Sequence, residues 1–238
     1  MNLIKKALLL SAGFGSRLKP FTLTRPKCLT LINGKCVLDY WIESLVSSGI
    51  DKVYVNTHWL SDAVAQHISN SEWVELITIL HEPNILGTAG TIRANQNIFG
   101  KENLLVAHAD NLINFDIVKF IASLEGRPPE AVMSMLCFRS SQPENVGIVV
   151  RDSCNIVREF HEKCDRAEYG NIANAAVYIL GGDALNFIYN LSEDNKDLSL
   201  HVIPKLIGKI HSVDVCGYLK DIGTPADLLQ ARSDFFTE

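Results

Sequence analysis

Two glycines and two basic residues near the N-terminus are spaced in a way that suits phosphate binding. The apolar run at residues 8–10 is followed by Gly13 and Gly15. A glycine turn after a strand lets backbone amides approach a phosphate without side chains in between. Arg17 follows two residues after the second glycine, and Lys27 follows ten residues after Arg17. A forked guanidinium and a compact ammonium together suit a triphosphate, so the segment predicts a triphosphate site.

Three other interpretations of this segment compete with that one. A P-loop would need a glycine at position 29, five residues before Gly34-Lys35, and that position is leucine. A dinucleotide-binding fingerprint would need a small residue where Leu18 stands, and an acidic residue about 20 positions further on is also missing. The third interpretation is a simple tight turn, which the fixed distances to the arginine and to Pro26-Lys27 disfavour.

Two aspartates stand where an open α/β sheet would place ligand-binding groups. Asp110 follows the apolar run at residues 104–106, and Asp221 lies just before the turn at residues 223–225. Such sheets bind ligands beyond the carboxyl ends of their strands. Two carboxylates from separate strand ends could hold one Mg²⁺ against phosphate oxygens, since Mg²⁺ prefers hard oxygen ligands. Taken alone, either aspartate could equally cap a helix or a turn.

The order of these residues resembles a known family. Residues 10–29 read L-S-A-G-F-G-S-R-L-K-P-F-T-L-T-R-P-K-C-L, which is similar to the N-terminal motif of the sugar-1-phosphate nucleotidyltransferases. Further matching segments follow in order at residues 86–90, 109–111, 160–163, 174–178 and 221–225. Together they span nearly the whole chain. The combination looks most like the guanylyltransferases that act on mannose 1-phosphate or heptose 1-phosphate.

The resemblance implies a role for each matched residue. The implied catalytic residues are Arg17, Lys27, Asp110 and Asp221, with the two aspartates also binding the cofactor Mg²⁺. The implied nucleotide-binding residues are Ala12, Gly13, Gly15, Ser16 and Arg17 for the phosphates and Gly87 and Thr88 near the base. The implied sugar-phosphate-binding residues are Gly147, Glu162, Lys163 and Asn174. Asn174 could equally tie down a turn.

The implied reaction transfers a nucleoside monophosphate from an NTP to a sugar 1-phosphate and releases pyrophosphate. A phosphate monoester has a second pKa of about 6, so the attacking oxygen needs no general base at neutral pH. We expect GTP as the donor and mannose or heptose 1-phosphate as the acceptor. The alternatives are uridylyl transfer to an amino-sugar 1-phosphate, another pairing of NTP and acceptor, and a non-catalytic nucleotide-binding regulatory homologue. Leu219 stands where relatives often have tryptophan, which points to an unusual acceptor.

The elements that must position these residues alternate along the chain. In the first half, strand patterns at residues 6–10, 52–56, 74–80 and 103–108 are separated by helical patterns at 37–48, 61–68, 91–98 and 116–124. In the second half, strands are predicted at 131–138, 147–150, 157–162 and 175–180, followed by helices at 183–189, 198–207 and 225–236. This order predicts a Rossmann-like three-layer α/β/α sandwich with a mixed, mostly parallel central sheet.

We expect one domain over residues 1–238, with a nucleotide-binding half at about 1–110 and a sugar-phosphate-binding half at about 111–238. The last motif ends shortly before residue 238, so the C-terminal left-handed β-helix of longer relatives is not expected.

Composition limits the partners and the compartment. The formal net charge of −5 makes the chain a poor general binder of nucleic acid or of an anionic membrane. No apolar stretch approaches the roughly 18 residues of a membrane span. The six cysteines form no C-x-x-C pair, which is typical of reduced thiols in a cytoplasmic protein. We therefore expect a cytoplasmic enzyme, and a homo-oligomer is left open.

Overall fold

The computed structural model describes residues 4–162, 167–214 and 217–235, in which strands and helices alternate. The strands are β1 (Lys6–Leu10), β2 (Leu31–Ile32), β3 (Lys35–Cys36), β4 (Lys52–Thr57), β5 (Ile77–His81), β6 (Leu104–His108), β7 (Asn111–Phe115), β8 (Met133–Arg139), β9 (Gly147–Arg151), β10 (Val157–Glu162), β11 (Ile172–Leu180), β12 (Ile210–Asp214) and β13 (Gly217–Asp221). The helices are α1 (Val37–Ser47), α2 (Ser61–Ser69), α3 (Thr88–Ala94), α4 (Gln96–Phe99), α5 (Ile117–Ala122), α6 (Gly182–Tyr189), α7 (Ile203–Leu206) and α8 (Pro225–Asp234). A one-turn π-helix, Leu198–Val202, leads into α7.

A nine-stranded mixed sheet forms the centre of the molecule. Strands β6, β1, β4 and β5 lie side by side and parallel, while β11 joins β6 antiparallel on the other side. Beyond β11 lie β8 and β12, and the β9–β10 hairpin pairs with the first part of β11. All these strands except β10 and β11 therefore run in the same direction. Outside this sheet, β7 and β13 form an antiparallel ribbon, and β2 and β3 form a short hairpin.

Helices cover both faces of the sheet because its strands are apolar on both sides. On β1, Leu9 packs into one core with α1, α2, α5 and α8, while Leu8 and Leu10 pack into a second core with α3, α6 and α7. Side chains alternate between the faces of a strand, so a continuous apolar run serves two layers at once. The three-layer α/β/α sandwich with a mixed, mostly parallel sheet is thereby confirmed.

Some local predictions were wrong. Strands β2, β3, β7, β12 and β13 were not predicted. The strand expected from residue 74 begins as a 3₁₀ turn, so that β5 covers only Ile77–His81. Residues 91–98 were expected to form one helix, but they belong to two: α3 begins earlier, at Thr88, and α4 follows it as a separate helix. Leu60 precedes α2 in a left-handed conformation, and Ser61 is the first residue of the helix.

Two further expectations concern the cysteines and the membrane. Cys28, Cys36, Cys137 and Cys154 are free thiols, and the other two cysteines lie outside the described residues. Among the described helices, none has both the length and the apolar character that crossing a bilayer requires.

Candidate active site

A buried lysine lies between two aspartates at the carboxyl end of the parallel strands. Nζ of Lys27 is 2.9 Å from Oδ2 of Asp110 and 2.8 Å from Oδ1 of Asp221. The lysine side chain is 8% exposed, against 34% for Asp110 and 49% for Asp221. Burial alone would lower the pKa of Lys27, but the two carboxylates outweigh it and raise that pKa above its usual value. The ammonium is therefore a permanent charge at neutral pH.

The same contacts act on Asp110. Burial alone would raise the pKa of this carboxyl, but the Lys27 charge, and after it His108, hold the pKa below its usual value. The predicted catalytic set therefore lies together as a charged cluster with Lys27 at its centre.

The residues of this cluster come from three separate parts of the chain. Asp110 lies in the turn between β6 and β7, and Asp221 is the last residue of β13. In the β7–β13 ribbon, Asp221 is the register partner of Asn111, which brings it next to Asp110. Lys27 begins a one-turn 3₁₀ helix, Lys27–Leu29, in the loop that follows the glycine turn.

The glycine turn packs directly on the lysine segment. Gly15 has φ of +60°, and a Cβ there would lie 2.7 Å from Cγ2 of Thr22 and 3.3 Å from Cβ of Lys27. Thr22 donates a hydrogen bond from Oγ1 to the Gly15 carbonyl at 2.8 Å. A Cβ at Gly13 would meet nothing within 4 Å, so this glycine faces open space. Gly15 therefore has a structural need for glycine, whereas Gly13 does not.

The remaining predicted phosphate-binding residues surround this turn. Ala12 is buried at the end of β1, while Ser16 and Arg17 are exposed. The Arg17 side chain is 68% exposed, and its Nη2 lies 3.5 Å from Oδ2 of Asp221. A Cβ at Gly223 would lie 3.0 Å from this Nη2, so the glycine leaves room for the arginine beside the aspartate.

The charged cluster contributes to the walls of two cavities. A cavity of about 40 Å³ at the glycine turn is lined by Ser11, Gly13, Gly15, Lys27 and Asp110. A pocket of about 930 Å³ has Arg17 and Asp221 in its wall. Lys27 lines the small cavity and contacts Asp221, which lines the large pocket. A group bound in the large pocket and a phosphate at the glycine turn would therefore lie on either side of this ion pair.

The loop that contains Gly87 and Thr88, predicted to approach the base, is held in place by contacts with residues 196–198. Gly87 has φ of +77°, and a Cβ there would lie 2.5 Å from the Lys196 carbonyl oxygen. That carbonyl accepts hydrogen bonds from the amides of Ala89 and Gly90. Thr88 Oγ1 accepts a hydrogen bond from the Leu198 amide at 2.7 Å. The Thr88 hydroxyl therefore anchors this loop to the segment before α7, a role that was not predicted.

A buried polar network connects the base loop with the glycine turn, and the sequence interpretation missed it. Glu82 is 3% exposed and accepts hydrogen bonds from Asn56 Nδ2 at 2.9 Å, from Thr91 Oγ1 at 2.6 Å and from the Leu86 amide at 3.0 Å. Asn56 Oδ1 in turn accepts from the Ser11 amide at 2.6 Å. The only signal in the sequence is a charged residue directly after an apolar strand.

The predicted sugar-side residues divide into two places. Asn174 lines the 930 Å³ pocket, donates from Nδ2 to the Tyr178 hydroxyl and accepts from the Ala176 amide, so it also ties down a turn. Gly147 and Glu162 are register partners on β9 and β10, and the pocket wall includes the neighbouring Val146 but neither of these two. Lys163 lies outside the described residues.

The large pocket also contains polar residues that were not predicted. Its wall includes Asn111, Arg139, Tyr218 and Lys220. Lys220 Nζ lies 3.7 Å from Asp227, whereas Arg139 donates to Asn171 Oδ1 at 3.3 Å. The same wall also contains Asp214, Asp221 and Asp227, so the pocket offers donors and acceptors of both charges.

The donor set of the two aspartates fits a magnesium ion. One oxygen of each carboxylate bonds the Lys27 ammonium, which occupies the point between them, and the 34% exposure of Asp110 and the 49% exposure of Asp221 leave each carboxylate accessible to an ion. Carboxylate oxygens from two strand ends, with phosphate oxygens and water completing the shell, are the usual ligands of Mg²⁺ in nucleotide enzymes.

Comparison with known proteins gives one consistent result. The family model described as nucleotidyl transferase matches residues 6–238. Mannose-1-phosphate guanyltransferase of Aspergillus oryzae is 28% identical over 98% of this chain and 64% of its own length. Bifunctional protein GlmU of Methanococcus maripaludis is 30% identical over 98% of this chain and 54% of its own length. The chain thus spans between about half and two thirds of these curated relatives.

Solved structures share the fold. HddC from Yersinia pseudotuberculosis superposes with a TM-score of 0.81 over 98% of this chain and 100% of that chain, at 24% identity. A glucose-1-phosphate thymidylyltransferase-like structure from Bacillus anthracis also gives 0.81, over 96% of this chain and 94% of that chain, at 18% identity. At such identities the likeness establishes the architecture alone.

Proposed function

The chain belongs to the nucleotidyl transferase family, and from this membership and the site we propose that it transfers a nucleoside monophosphate from an NTP to a sugar 1-phosphate. The observation that carries the proposal is the position of Lys27. Its ammonium lies between the two aspartates; Lys27 and Asp110 line the glycine-turn cavity, and Asp221 lines the 930 Å³ pocket. This arrangement supports a donor phosphate on one side and an acceptor on the other.

The reaction needs alignment and charge neutralisation more than acid or base catalysis. A phosphate oxygen of the acceptor attacks the α-phosphorus of the NTP, a new P–O bond forms, and the bond to pyrophosphate breaks. The attacking oxygen is already ionised at neutral pH because its second pKa is about 6. Lys27 supplies a fixed positive charge next to the reacting phosphate, and Arg17 supplies a mobile one over the pocket.

The backbone of the glycine turn would hold the β- and γ-phosphates, and Asp110 and Asp221 would hold Mg²⁺. When bound, that ion would neutralise phosphate charge and orient the leaving group. Gly87 and Thr88 would lie along the base. Lys163, together with Gly147, Glu162 and Asn174, remains the proposed contact to the sugar phosphate.

The two halves of the single domain would then serve the two substrates, with residues of about 1–110 holding the nucleotide and those of about 111–238 the acceptor. We favour GTP and mannose or heptose 1-phosphate because the 28% identical Aspergillus relative is named a mannose-1-phosphate guanyltransferase. A cytoplasmic location belongs to the same proposal. The competing specificity is uridylyl transfer to an amino-sugar 1-phosphate.

A substrate matrix tests the proposal. The protein is mixed with Mg²⁺, each of the common NTPs in turn and a panel of sugar 1-phosphates, and pyrophosphate release and NDP-sugar formation are both measured. We expect release that depends on both substrates and is fastest with GTP and a manno-configured acceptor. Pyrophosphate release that is fastest with UTP and an amino-sugar 1-phosphate would instead support uridylyl transfer. Folded protein that binds NTP but releases no pyrophosphate with any pair would contradict the proposed activity and favour a regulatory homologue.

A further inference from the structure

Three metal-binding side chains converge at the junction of β3, α1 and α2, on the first core and apart from the catalytic cluster. Cys36 precedes the first turn of α1, Asp39 lies in that turn, and His67 lies in the last turn of α2. One ligand atom from each lies within 4.8 Å of the other two. His67 Nε2 and Asp39 Oδ1 are 2.7 Å apart. Thiol, imidazole and carboxylate together form the donor set that zinc uses in proteins.

The distances between these three atoms are close to the distances between the ligand atoms of a tetrahedral metal ion. Zinc bond lengths of about 2.0 Å to nitrogen and oxygen and about 2.3 Å to sulfur separate neighbouring ligands by roughly 3.3–3.6 Å. The 2.7 Å pair and the 4.8 Å limit bracket this separation, so side-chain movements of about 1 Å or less would bring all three into place. We propose that Cys36, Asp39 and His67 bind a zinc-class divalent transition-metal ion.

The burial and the charges of these three side chains favour a tightly bound ion over one that is held weakly at the surface. The Cys36 residue is 7% exposed, and the side chains of Asp39 and His67 are 17% and 28% exposed. The thiolate and Asp39 supply two negative charges for a dication. The partial exposure of His67 leaves a path for entry and for a water in the fourth position, as at sites with three protein ligands.

The bound ion would fasten the start of α1 to the end of α2. The Cys36 thiol donates a hydrogen bond to the Leu29 carbonyl at 3.5 Å, and the thiolate that binds an ion would give up this bond. Since an ion that binds only the folded chain stabilises it, zinc should raise the unfolding temperature. This inference does not depend on the proposed transferase activity.

Cobalt(II) provides the test because it reports both geometry and ligand type. In the presence of excess Mg²⁺, which competes for the carboxylate pair, the whole protein is titrated with cobalt. We expect the intense visible bands of a four-coordinate ion and a thiolate-to-cobalt charge-transfer band, both displaced by one equivalent of zinc. The variants are C36S and H67Q, and the control is C154S, which removes an exposed free thiol.

Each result has a defined meaning. C36S should abolish the charge-transfer band, and both C36S and H67Q should weaken zinc binding, measured against a chromophoric chelator, by at least about tenfold. C154S should change neither readout. If C36S folds poorly, the zinc-dependent rise in unfolding temperature in wild type and its loss in H67Q decide the question. Absence of the thiolate band in wild type, or its survival in H67Q at unchanged affinity, would show that Asp39 and His67 form only a hydrogen-bonded pair between two helices.

Discussion

Asp221 lies opposite Asn111 in the β7–β13 ribbon, although the two residues are more than a hundred positions apart in the chain. This pairing puts the Asp221 carboxylate beside Asp110, and Lys27 donates to both. The ribbon thus completes a charged site whose other parts come from the central sheet and the glycine turn.

Replacing the central lysine should remove most of the activity. In Lys27→Gln the fixed positive charge near the transferred phosphate is lost, and we expect kcat to fall by at least about 100-fold. The measurement is pyrophosphate release at saturating substrates, with circular dichroism to establish folding. Lys5→Gln removes an exposed lysine that pairs with Asp51 just before β1, at the opposite end of that strand, and should leave the rate unchanged. A near-normal rate in the Lys27 variant would contradict its assigned role.

The metal requirement should depend on both aspartates. Chelation by EDTA should stop pyrophosphate release, and added Mg²⁺ should restore it. In Asp110→Asn and Asp221→Asn we expect rates to fall by about 100-fold or more and the Mg²⁺ concentration for half-maximal rate to rise. Asp62→Asn, an exposed aspartate in the first turn of α2, is the matched control. If the Mg²⁺ dependence of the rate were unchanged in either Asp110→Asn or Asp221→Asn, that aspartate would not be a metal ligand.

The two glycines of the turn should respond differently to alanine. At Gly15 the φ of +60° and the contact with Thr22 predict destabilisation by about 1–2 kcal/mol, measured by urea unfolding. At Gly13 the added methyl meets no protein atom, so stability should change by less than about 0.5 kcal/mol. The KM for NTP should nonetheless rise in Gly13→Ala, because the methyl would point into the space assigned to phosphate. If Gly13→Ala leaves KM unchanged, the phosphates bind elsewhere.

The buried carboxylate of Glu82 should matter for stability and for nucleotide affinity. In Glu82→Gln, one acceptor oxygen becomes a donor facing donor groups, and we expect a loss of about 1–3 kcal/mol in the free energy of unfolding. Because Glu82 accepts from the Leu86 amide, KM for NTP should rise more than kcat falls. Glu75→Gln alters an exposed glutamate on the same segment and should have neither effect. If Glu82→Gln and Glu75→Gln had the same free energy of unfolding, the hydrogen-bond network would not stabilise the fold.

Mild acid should destabilise the protein partly through His211. Burial, and after it Arg127 and Arg151, hold the pKa of this imidazole below its usual value. The unfolded chain therefore takes up the proton first, so the contribution of His211 is complete above about pH 6.5 and is lost as the pH falls through the lower folded-state pKa. Urea unfolding between about pH 7.5 and about pH 5.5 should show a smaller decline in His211→Gln than in wild type. His81→Gln, an exposed histidine on β5, should keep the wild-type decline.

The glycine turn and Asp110 could be placed from the sequence because each follows an apolar run that predicts a buried strand, whereas Lys27 and Asp221 were assigned through motifs that resemble the family. The ribbon that joins Asp110 to Asp221 could not, since residues 111–115 are few and mix polar with apolar side chains, and their partner is distant in sequence. Glu82 was missed for a similar reason. Its hydrogen-bond partners come from β4, α3 and a loop, and nothing in its immediate neighbourhood indicates that they meet there.

The ribbon also has a consequence for biosynthesis. Lys27 and the glycine turn leave the ribosome early, and Asp110 follows, but the second carboxylate that accepts a hydrogen bond from the ammonium arrives 194 residues after the lysine. Until β13 has been translated and paired with β7, Lys27 has only one of its two carboxylate partners, and a buried ammonium that lacks an acceptor is costly. The charged site should therefore be completed only when the ribbon closes, which makes the pairing of this late strand the last step in its assembly.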